Sequence, residues 1–234
     1  CLSIILLLII VAALMYSGAK TVVSTLVDQF TDTQPVPLPE VTLDQNQIDS
    51  ALKRWDDFKN ALVQDQPAEV LTLTSDDVNA LINHHPDWSV LKGQAHVSFA
   101  GDNLEAQVSV SLEPFTVIPL FGKYVKGRYF NGKATFDVFV RNGLLFLTVQ
   151  RAEVKGKEIP PEAVAELRQK NLAEDVRKNP NTAAILDRVE RLEIKDGKAV
   201  IVPKKVLGGA ESVSPAESTP TPEESVAAGQ PALN

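Results

Sequence analysis

The 234-residue chain has a formal net charge of −7, from 23 basic and 30 acidic residues. Four glutamates and no basic residue lie after Val206, so the preceding residues carry a net charge of only −3. This mild balance argues against a general nucleic-acid binder, which needs a concentrated basic face. The single cysteine excludes an internal disulfide framework.

The N-terminal segment is the most informative feature of the sequence. Residues 2–19 are almost entirely apolar, and the first charge is Lys20. As a helix, a run of this length reaches roughly 27 Å, close to the thickness of the hydrocarbon core of a bilayer. Apolar residues then continue at helical spacing at Val22, Val23, Leu26, Val27 and Phe30. We therefore predict a transmembrane anchor and juxtamembrane helix over residues 1–30.

Two other interpretations of this segment stay open. Ser17 and Ala19 are small residues at the spacing of a signal-peptide cleavage site. Cys1 could be a lipoprotein cysteine, although small or polar linker residues would then normally follow it. Because the chain does not begin with methionine, we expect further residues of the gene product before Cys1. The apolar run is longer than an ordinary signal core, which favours a retained anchor, a single-pass membrane location and an extracytoplasmic domain.

Composition divides the remaining chain into three parts. Residues 31–40 contain Pro35, Pro37 and Pro39 in alternation, which predicts an extended spacer. Residues 41–206 have the size of a single domain with its own core. Residues 207–234 hold four prolines, four glutamates and no aromatic residue, which predicts a disordered tail.

Helical signals dominate the first part of this domain. Thr42 and Gln45 have the spacing of a capping box. An apolar stripe at steps of three and four follows, formed by Ile48, Ala51, Leu52, Trp55, Phe58 and Leu62. After a short extended run, Thr74 can cap a second helix, which Pro86 ends.

From Lys92 onward the apolar period changes from 3.6 to 2, which predicts strands. Residues 95–112 form a hairpin, and residues 133–154 form a second one around the type I′ turn signal Asn142-Gly143. Asn131-Gly132 is either another turn or, as we favour slightly, a bulge in one long strand. Helices beginning at Pro160-Pro161 and spanning residues 183–189, followed by a last hairpin, complete an α+β fold: an antiparallel sheet of hairpins with helices packed on one face.

Residues able to perform chemistry do not form a recognisable catalytic motif. His84 and His85 point about 100° apart on a helix, and a metal would need His96 or Asp87 brought in by folding. The position of Asp76-Asp77 directly after the cap favours stabilisation of the helix N-terminus. We therefore predict no enzyme activity, no catalytic residue, no cofactor and no metal site.

The connection between the two hairpins is unusually apolar. Here the contact segment is residues 115–124, whose candidate contact residues are Phe115, Val117, Ile118, Leu120, Phe121 and Tyr124. Basic residues are interleaved with and follow them at Lys123, Lys126 and Arg128. Such a mixture suits an apolar ligand or a membrane surface. The alternative is an irregular strand of the same sheet with its lysines facing solvent.

Four stretches of the sequence together resemble a known group of proteins: LTSDDVNALI, GRYFNGKATFDVFVRNGLLFL, VKGKEIP and RLEIKDGKAVIVP. With the single anchor, they resemble small membrane-anchored bacterial proteins of unknown function, some of which are suspected of tubular lipid-binding-like folds. The resemblance covers most of residues 70–203. It implies a curled sheet that holds acyl chains against a long helix, and it implies no catalytic residue.

From these features we expect a membrane-anchored, non-enzymatic module. It would bind an apolar, lipid-like ligand or a protein partner through the sheet and the contact segment. The expected partners are the membrane, a lipid or an envelope protein, and no nucleic acid. The alternative is a structural scaffold subunit of a cell-envelope complex that takes no small-molecule ligand.

Overall fold

The computed structural model describes residue 24, residues 27–118 and residues 122–206. The predicted transmembrane run, the predicted disordered tail, and Leu120 and Phe121 of the contact segment lie outside the described residues. Within the described ranges, no helix has both the length and the apolar character that crossing a bilayer requires.

The described chain is built from helices and antiparallel strands, as an α+β fold requires. The helices are α1 Gln45–Val63, α2 Ser75–His84, α3 Gly122–Val125, α4 Pro161–Arg168 and α5 Pro180–Leu186. The strands are β1 Leu71–Leu73, β2 Ala95–Ala100, β3 Asn103–Ser111, β4 Tyr129–Arg141, β5 Leu144–Val154, β6 Lys157–Glu158, β7 Val189–Lys195 and β8 Lys198–Pro203. Short 3-10 helices span Pro86–Leu91, Glu113–Phe115 and Glu174–Lys178, and residues 27–30 are also helical. The predicted fold class, α+β with an antiparallel sheet, is confirmed.

The sheet is organised around the long strand β4. The strand order is β1-β8-β7-β4-β3-β2, and β5 pairs with the other edge of β4 and carries β6 beyond it. β3 pairs with the first part of β4, and β7 pairs with Phe139 and Val140 near its end, so both lie along one edge. The β7–β8 turn contacts the β2–β3 turn, because Gly197 N donates to Gly101 O at 3.1 Å.

The pairing of β4 with β5 corrects one detail of the sequence prediction. β4 continues through Asn131 and Gly132, so these residues form neither a turn nor a bulge. The register instead shifts between Thr135 and Phe136, where Gln150 is the extra residue in β5. Long strands accommodate their twist through such an inserted residue, and its position depends on both strands. The predicted Asn142-Gly143 turn is present, with positive φ at both residues.

Two helix starts also differ from prediction. The N-cap of α1 is Asp44, whose side chain accepts from Gln47 N while Gln47 Oε1 accepts from Asp44 N. The capping box therefore lies two residues after the predicted Thr42 and Gln45. α5 begins at Pro180 itself, since proline lacks the N–H that a first helical turn leaves unpaired. Thr74 caps α2, as predicted.

The main cluster of buried side chains lies between the sheet and the helices. Alternate residues of β4 and β5, such as Phe136 and Val149, contact it together with Phe58, Leu81 and Val164 from three helices. α1 packs against α2, β1 and α5, and α2 packs against β1 and β2. Side chains of these helices therefore cover the apolar face of the sheet.

A smaller apolar cluster lies at the N-terminal end of β4. This second cluster consists of Val27, Leu112, Val125, Phe130 and Val154, all buried. Its members come from five separate parts of the chain, so it joins the N-terminal helical residues to the sheet.

Candidate functional site

The contact segment has no strand among its described residues. The 3-10 helix Glu113–Phe115 leads into a turn over residues 116–118, and α3 follows at Gly122. Gly122 N donates to Ile118 O at 2.8 Å. A Cβ at Gly122 would overlap Thr116 O, so glycine is required where α3 approaches the turn.

The described candidate residues divide between packing and exposure. Phe115 and Tyr124 are half-buried and pack against the second cluster. Val117 is 82% exposed, and Ile118 is partly exposed. Lys123 Nζ lies 4.7 Å from the centroid of the Tyr124 ring. The two aromatic rings therefore hold the segment on the domain, while Val117 and Ile118 remain at its surface.

The stem, residues 27–32, docks beside the contact segment. Val27 is only 3% exposed in the second cluster, and Phe30 packs against the same cluster. Asp32 pairs with Tyr129 through two backbone hydrogen bonds of 2.8 and 2.7 Å. The stem is therefore packed into the domain at its apolar side and hydrogen-bonded to the start of β4.

Two cations hold the C-terminal end of the stem helix. The Arg128 guanidinium donates to Thr31 Oγ1 and to Thr31 O, and its Nη2 lies 2.9 Å from Asp28 Oδ1. Lys155 Nζ donates to Asp28 O at 2.8 Å and lies 3.2 Å from Asp32 Oδ1. The last carbonyl groups of a helix lack partners and carry partial negative charge, so both cations satisfy and stabilise this helix end.

Residues 34–36, from the predicted spacer, also contact the folded domain. Val36 N is shared between Ser109 Oγ at 3.1 Å and Asn131 Oδ1 at 3.2 Å. Asn131 is buried, and its Nδ2 donates to Gln34 O and to Asp32 Oδ2, both at 2.9 Å. The side chain of Asn131 thus fixes the path by which the chain leaves the stem.

A groove of about 880 Å³ lies along this path. Residues 35–41 line it, with three prolines, two valines and one leucine. Residues 92–95, Pro114 and Tyr129 also line the groove, and Pro114 directly precedes the contact segment in the chain. This volume is within the range of roughly 300–1,000 Å³ that small-molecule sites occupy.

The histidine cluster is held in hydrogen bonds and ion pairs. His85 is buried, its Nε2 lies 3.0 Å from Asp56 Oδ1, and its Nδ1 accepts from Asp87 N. Lys59 Nζ lies 2.6 Å from Asp87 Oδ2 and 3.6 Å from Asp56 Oδ1. The hydrogen bond between Lys59 and Asp87 raises the pKa of the lysine and lowers the pKa of the carboxyl group. His84 is exposed. These contacts link α1 to the end of α2.

Sequence reasoning missed the packing of the stem against the second cluster, Arg128 and Lys155, which together form the stem joint. The apolar spacing of Val27 and Phe30 predicted a juxtamembrane helix, but not its packing against residues about a hundred positions away in the chain. Comparison of the chain with protein-family models, with curated proteins and with solved structures found no match. The geometry of the joint, the contact segment and the groove is therefore the basis on which a function is assigned.

Proposed function

We propose that this protein is a single-pass, membrane-anchored, non-enzymatic module whose extracytoplasmic domain binds a lipid-like apolar ligand at the membrane surface. One observation carries the proposal: the stem and the contact segment pack into the same apolar cluster. The stem, which leads toward the proposed anchor, is thus held beside the contact segment, where Val117 is 82% exposed.

The length of chain before the stem limits how far this site can be from the bilayer. Eight peptide steps, with seven intervening residues, connect Ala19, the end of the apolar run, to Val27. They span about 12 Å as a helix and at most roughly 28 Å when extended. If residues 2–19 cross the membrane, the second cluster and the adjoining contact segment lie close to the head groups.

The ligand is proposed to bind at the surface rather than between α1 and the sheet. Phe58 and Leu62 of α1 are buried in the main cluster, together with Leu71 and Ile201 of the sheet, so side chains fill that region. The groove along residues 35–41 instead includes Pro114, next to the contact segment, in its lining. A lipid that contacts Val117 at the membrane surface could extend one chain into this groove.

The test is photocrosslinking of the full chain in vesicles that contain a phospholipid with a diazirine on its acyl chain. We expect adducts at residues 35–41 and at residues 115–118, in addition to those in residues 2–19. Val117→Asp should lower the domain adducts several-fold. Val63→Asp is the matched control: Val63 is 55% exposed at the end of α1 and is not among the residues that line the groove, so this substitution should leave the adducts unchanged. Adducts confined to residues 2–19 would contradict the proposal.

The scaffold alternative is favoured by a different surface. Phe139 and Phe146 stack with ring centroids 4.8 Å apart on the sheet face opposite the main cluster, and Leu144 beside them is 46% exposed. A photoreactive residue in place of Phe146 tests this reading in native membranes. Adducts with another envelope protein at this position, with no lipid adduct in the domain, would favour the scaffold.

A further inference from the structure

Lys123, in the contact segment, and Lys126, just after it, differ from the other cations of this region. Lys123 and Lys126 are both exposed. Within the described parts of the chain, neither ammonium group lies within 4.0 Å of a carboxylate oxygen. Arg128 and Lys155, by contrast, are engaged with the stem. Lys123 and Lys126 therefore present charge that internal ion pairs do not use.

The local charge is positive although the whole chain is acidic. Residues 113–126 contain both of these lysines and one acidic residue, Glu113. A side-chain oxygen of Glu113 accepts from Gly127 N at 3.1 Å, so this carboxylate already has a partner in the same turn. Charges elsewhere on the surface are screened beyond about 8–10 Å at physiological ionic strength. An approaching surface therefore meets a small cationic site.

Apolar side chains at the surface lie in the same part of the chain as these cations. Val117 is the most exposed of the large hydrophobic residues that are described, and the partly exposed Ile118 comes next in the chain. A side chain that enters the interfacial layer while neighbouring cations meet phosphate groups is the pattern of an interfacial membrane contact. Burying Val117 in the head-group layer removes apolar surface from water, and Lys123 and Lys126 add attraction to negative charge.

We infer that Val117, Ile118, Lys123 and Lys126 form a contact that selects membranes containing anionic phospholipid. The inference rests on the membrane placement proposed above and adds to it the class of lipid that the domain prefers. The zwitterionic surface of phosphatidylcholine offers the apolar half of this contact alone, whereas phosphatidylglycerol adds the net negative charge.

The experiment places a nitroxide on Val117→Cys in the full chain, with Cys1→Ser, and reconstitutes it in nanodiscs. One set contains phosphatidylcholine alone, and the other adds phosphatidylglycerol. Power-saturation electron paramagnetic resonance then compares the accessibility of the label to oxygen and to a water-soluble nickel complex. We expect immersion in the mixed nanodiscs, less immersion in phosphatidylcholine, and loss of the difference at about 1 M salt, where the Debye length falls to about 3 Å.

Charge reversal at two sites separates the local contact from the overall charge. Lys123→Glu/Lys126→Glu should abolish the lipid preference, and Lys123→Gln/Lys126→Gln should weaken it. The control Lys195→Glu/Lys198→Glu makes the same change in charge at the β7–β8 turn. The β7–β8 turn contacts the β2–β3 turn. The β2–β3 turn lies at one end of β3 and the contact segment follows the other end, so the length of β3, about 26 Å, separates them. The control should keep the lipid preference.

The outcomes also distinguish this inference from the proposed function. Equal immersion of the label in both kinds of nanodisc would overturn the anionic preference while leaving the membrane contact in place. A label exposed to water in both would overturn the membrane contact as well. Loss of the preference in the Lys195→Glu/Lys198→Glu control would show that overall charge, and not this contact, sets the response.

Discussion

The side-chain amide of Asn79 in α2 forms two hydrogen bonds with the backbone of Val97 in the edge strand β2. Asn79 Nδ2 donates to Val97 O at 2.7 Å, and Asn79 Oδ1 accepts from Val97 N at 2.8 Å. Ser75 Oγ accepts from Phe99 N at 2.9 Å on the same edge. These bonds occupy backbone positions that an incoming strand would otherwise use.

Asn171 has the same role at the edge of β5. Its Oδ1 accepts from Leu147 N at 3.0 Å, and its Nδ2 donates to Leu145 O at 2.8 Å. Leu172 N then donates to Leu147 O at 2.9 Å. Side chains and loop backbone thus protect parts of two edges of the sheet, which disfavours recognition of a partner through an added strand at these positions.

Asn79→Ala tests the energetic importance of this arrangement. The substitution leaves a buried N–H and a buried carbonyl of Val97 without their partner, and each unpaired group costs about 1–3 kcal/mol. We expect the free energy of unfolding to fall by about 2–6 kcal/mol, measured by urea denaturation of the detergent-solubilised chain.

The matched control is Asn83→Ala, one turn later on the same helix. The Asn83 side chain is half-buried and donates to Asn79 O. Loss of this side-chain hydrogen bond should cost less than about 1 kcal/mol, because the Asn79 carbonyl lies inside α2 and also accepts a backbone hydrogen bond of the helix. Equal effects of the two substitutions would show that the bonds to Val97 do not stabilise the edge strand.

Arg128→Met tests the stem joint. Removing the guanidinium leaves Thr31 O and the Asp28 carboxylate without this cation, and a hydrogen bond to a charged group contributes about 1.5–3 kcal/mol. We expect amide hydrogen exchange over residues 27–32 to accelerate about tenfold or more, with little change in the main cluster. Mass spectrometry after peptic digestion measures both regions.

Arg151→Met controls for loss of an arginine elsewhere on the sheet. Arg151 is 75% exposed and lies 3.3 Å from Glu158, and such exposed pairs contribute about 0–1 kcal/mol. Exchange in the stem should stay at the wild-type rate in this variant. A stem that exchanges at that rate in Arg128→Met too would mean that apolar packing of Val27 suffices to hold it.

Asp87→Asn should change the pH dependence of stability. The hydrogen bond from Lys59 lowers the pKa of Asp87 below its ordinary value of 3.8, so the ion pair stabilises the fold above that pH. This contribution is lost as pH falls through the lowered pKa. Because Asp87 is half-exposed, we expect a difference in unfolding free energy within about 0–1 kcal/mol at pH 7 that disappears under acidic conditions.

The alkaline side has the opposite sign. The same hydrogen bond raises the pKa of Lys59 above 10.5, so its contribution is complete below that pH and is lost as pH rises through the raised pKa.

Asp102→Asn, in the β2–β3 turn, is the control for Asp87→Asn, because it removes a carboxylate without breaking an ion pair seen in the structure. If the free energy of unfolding changed with pH in the same way for Asp87→Asn and wild type across the acid range, the assignment of this pH dependence to Asp87 would be contradicted.

Gly143→Ala should destabilise the fold more than Gly101→Ala. Both glycines have positive φ, at 71° and 60°, so a Cβ costs about 1–2 kcal/mol of backbone strain at either position. At Gly143 the Cβ would also lie 3.1 Å from Asp187 Oδ1 and 3.4 Å from Arg177 Nη1, whereas Gly101 has open space. Thermal unfolding of both variants measures the difference, and equal losses would show that the pair of Arg177 and Asp187 adjusts freely.

Elements controlled by neighbouring residues could be predicted from the sequence. Thr74 caps α2 with Asp77, Asn142-Gly143 forms a hairpin turn, and β2 and β3 follow a period of two. In each case the interacting groups lie within a few residues, and the spacing of polar and apolar positions specifies the geometry. The N-cap of α1 is Asp44 and not the predicted Thr42; each is followed three residues later by a glutamine, so this spacing alone did not distinguish them.

Tertiary structure alone decided which candidate residues remain available at the site. Phe115 and Tyr124 have the same apolar character as Val117 in the sequence, yet the second cluster takes up the first two and leaves Val117 exposed. The position of Arg128 at the stem and the pairing of Asn79 with Val97 likewise join residues far apart in the chain. Such contacts depend on how whole elements pack, because no local pattern specifies a partner that only folding brings near.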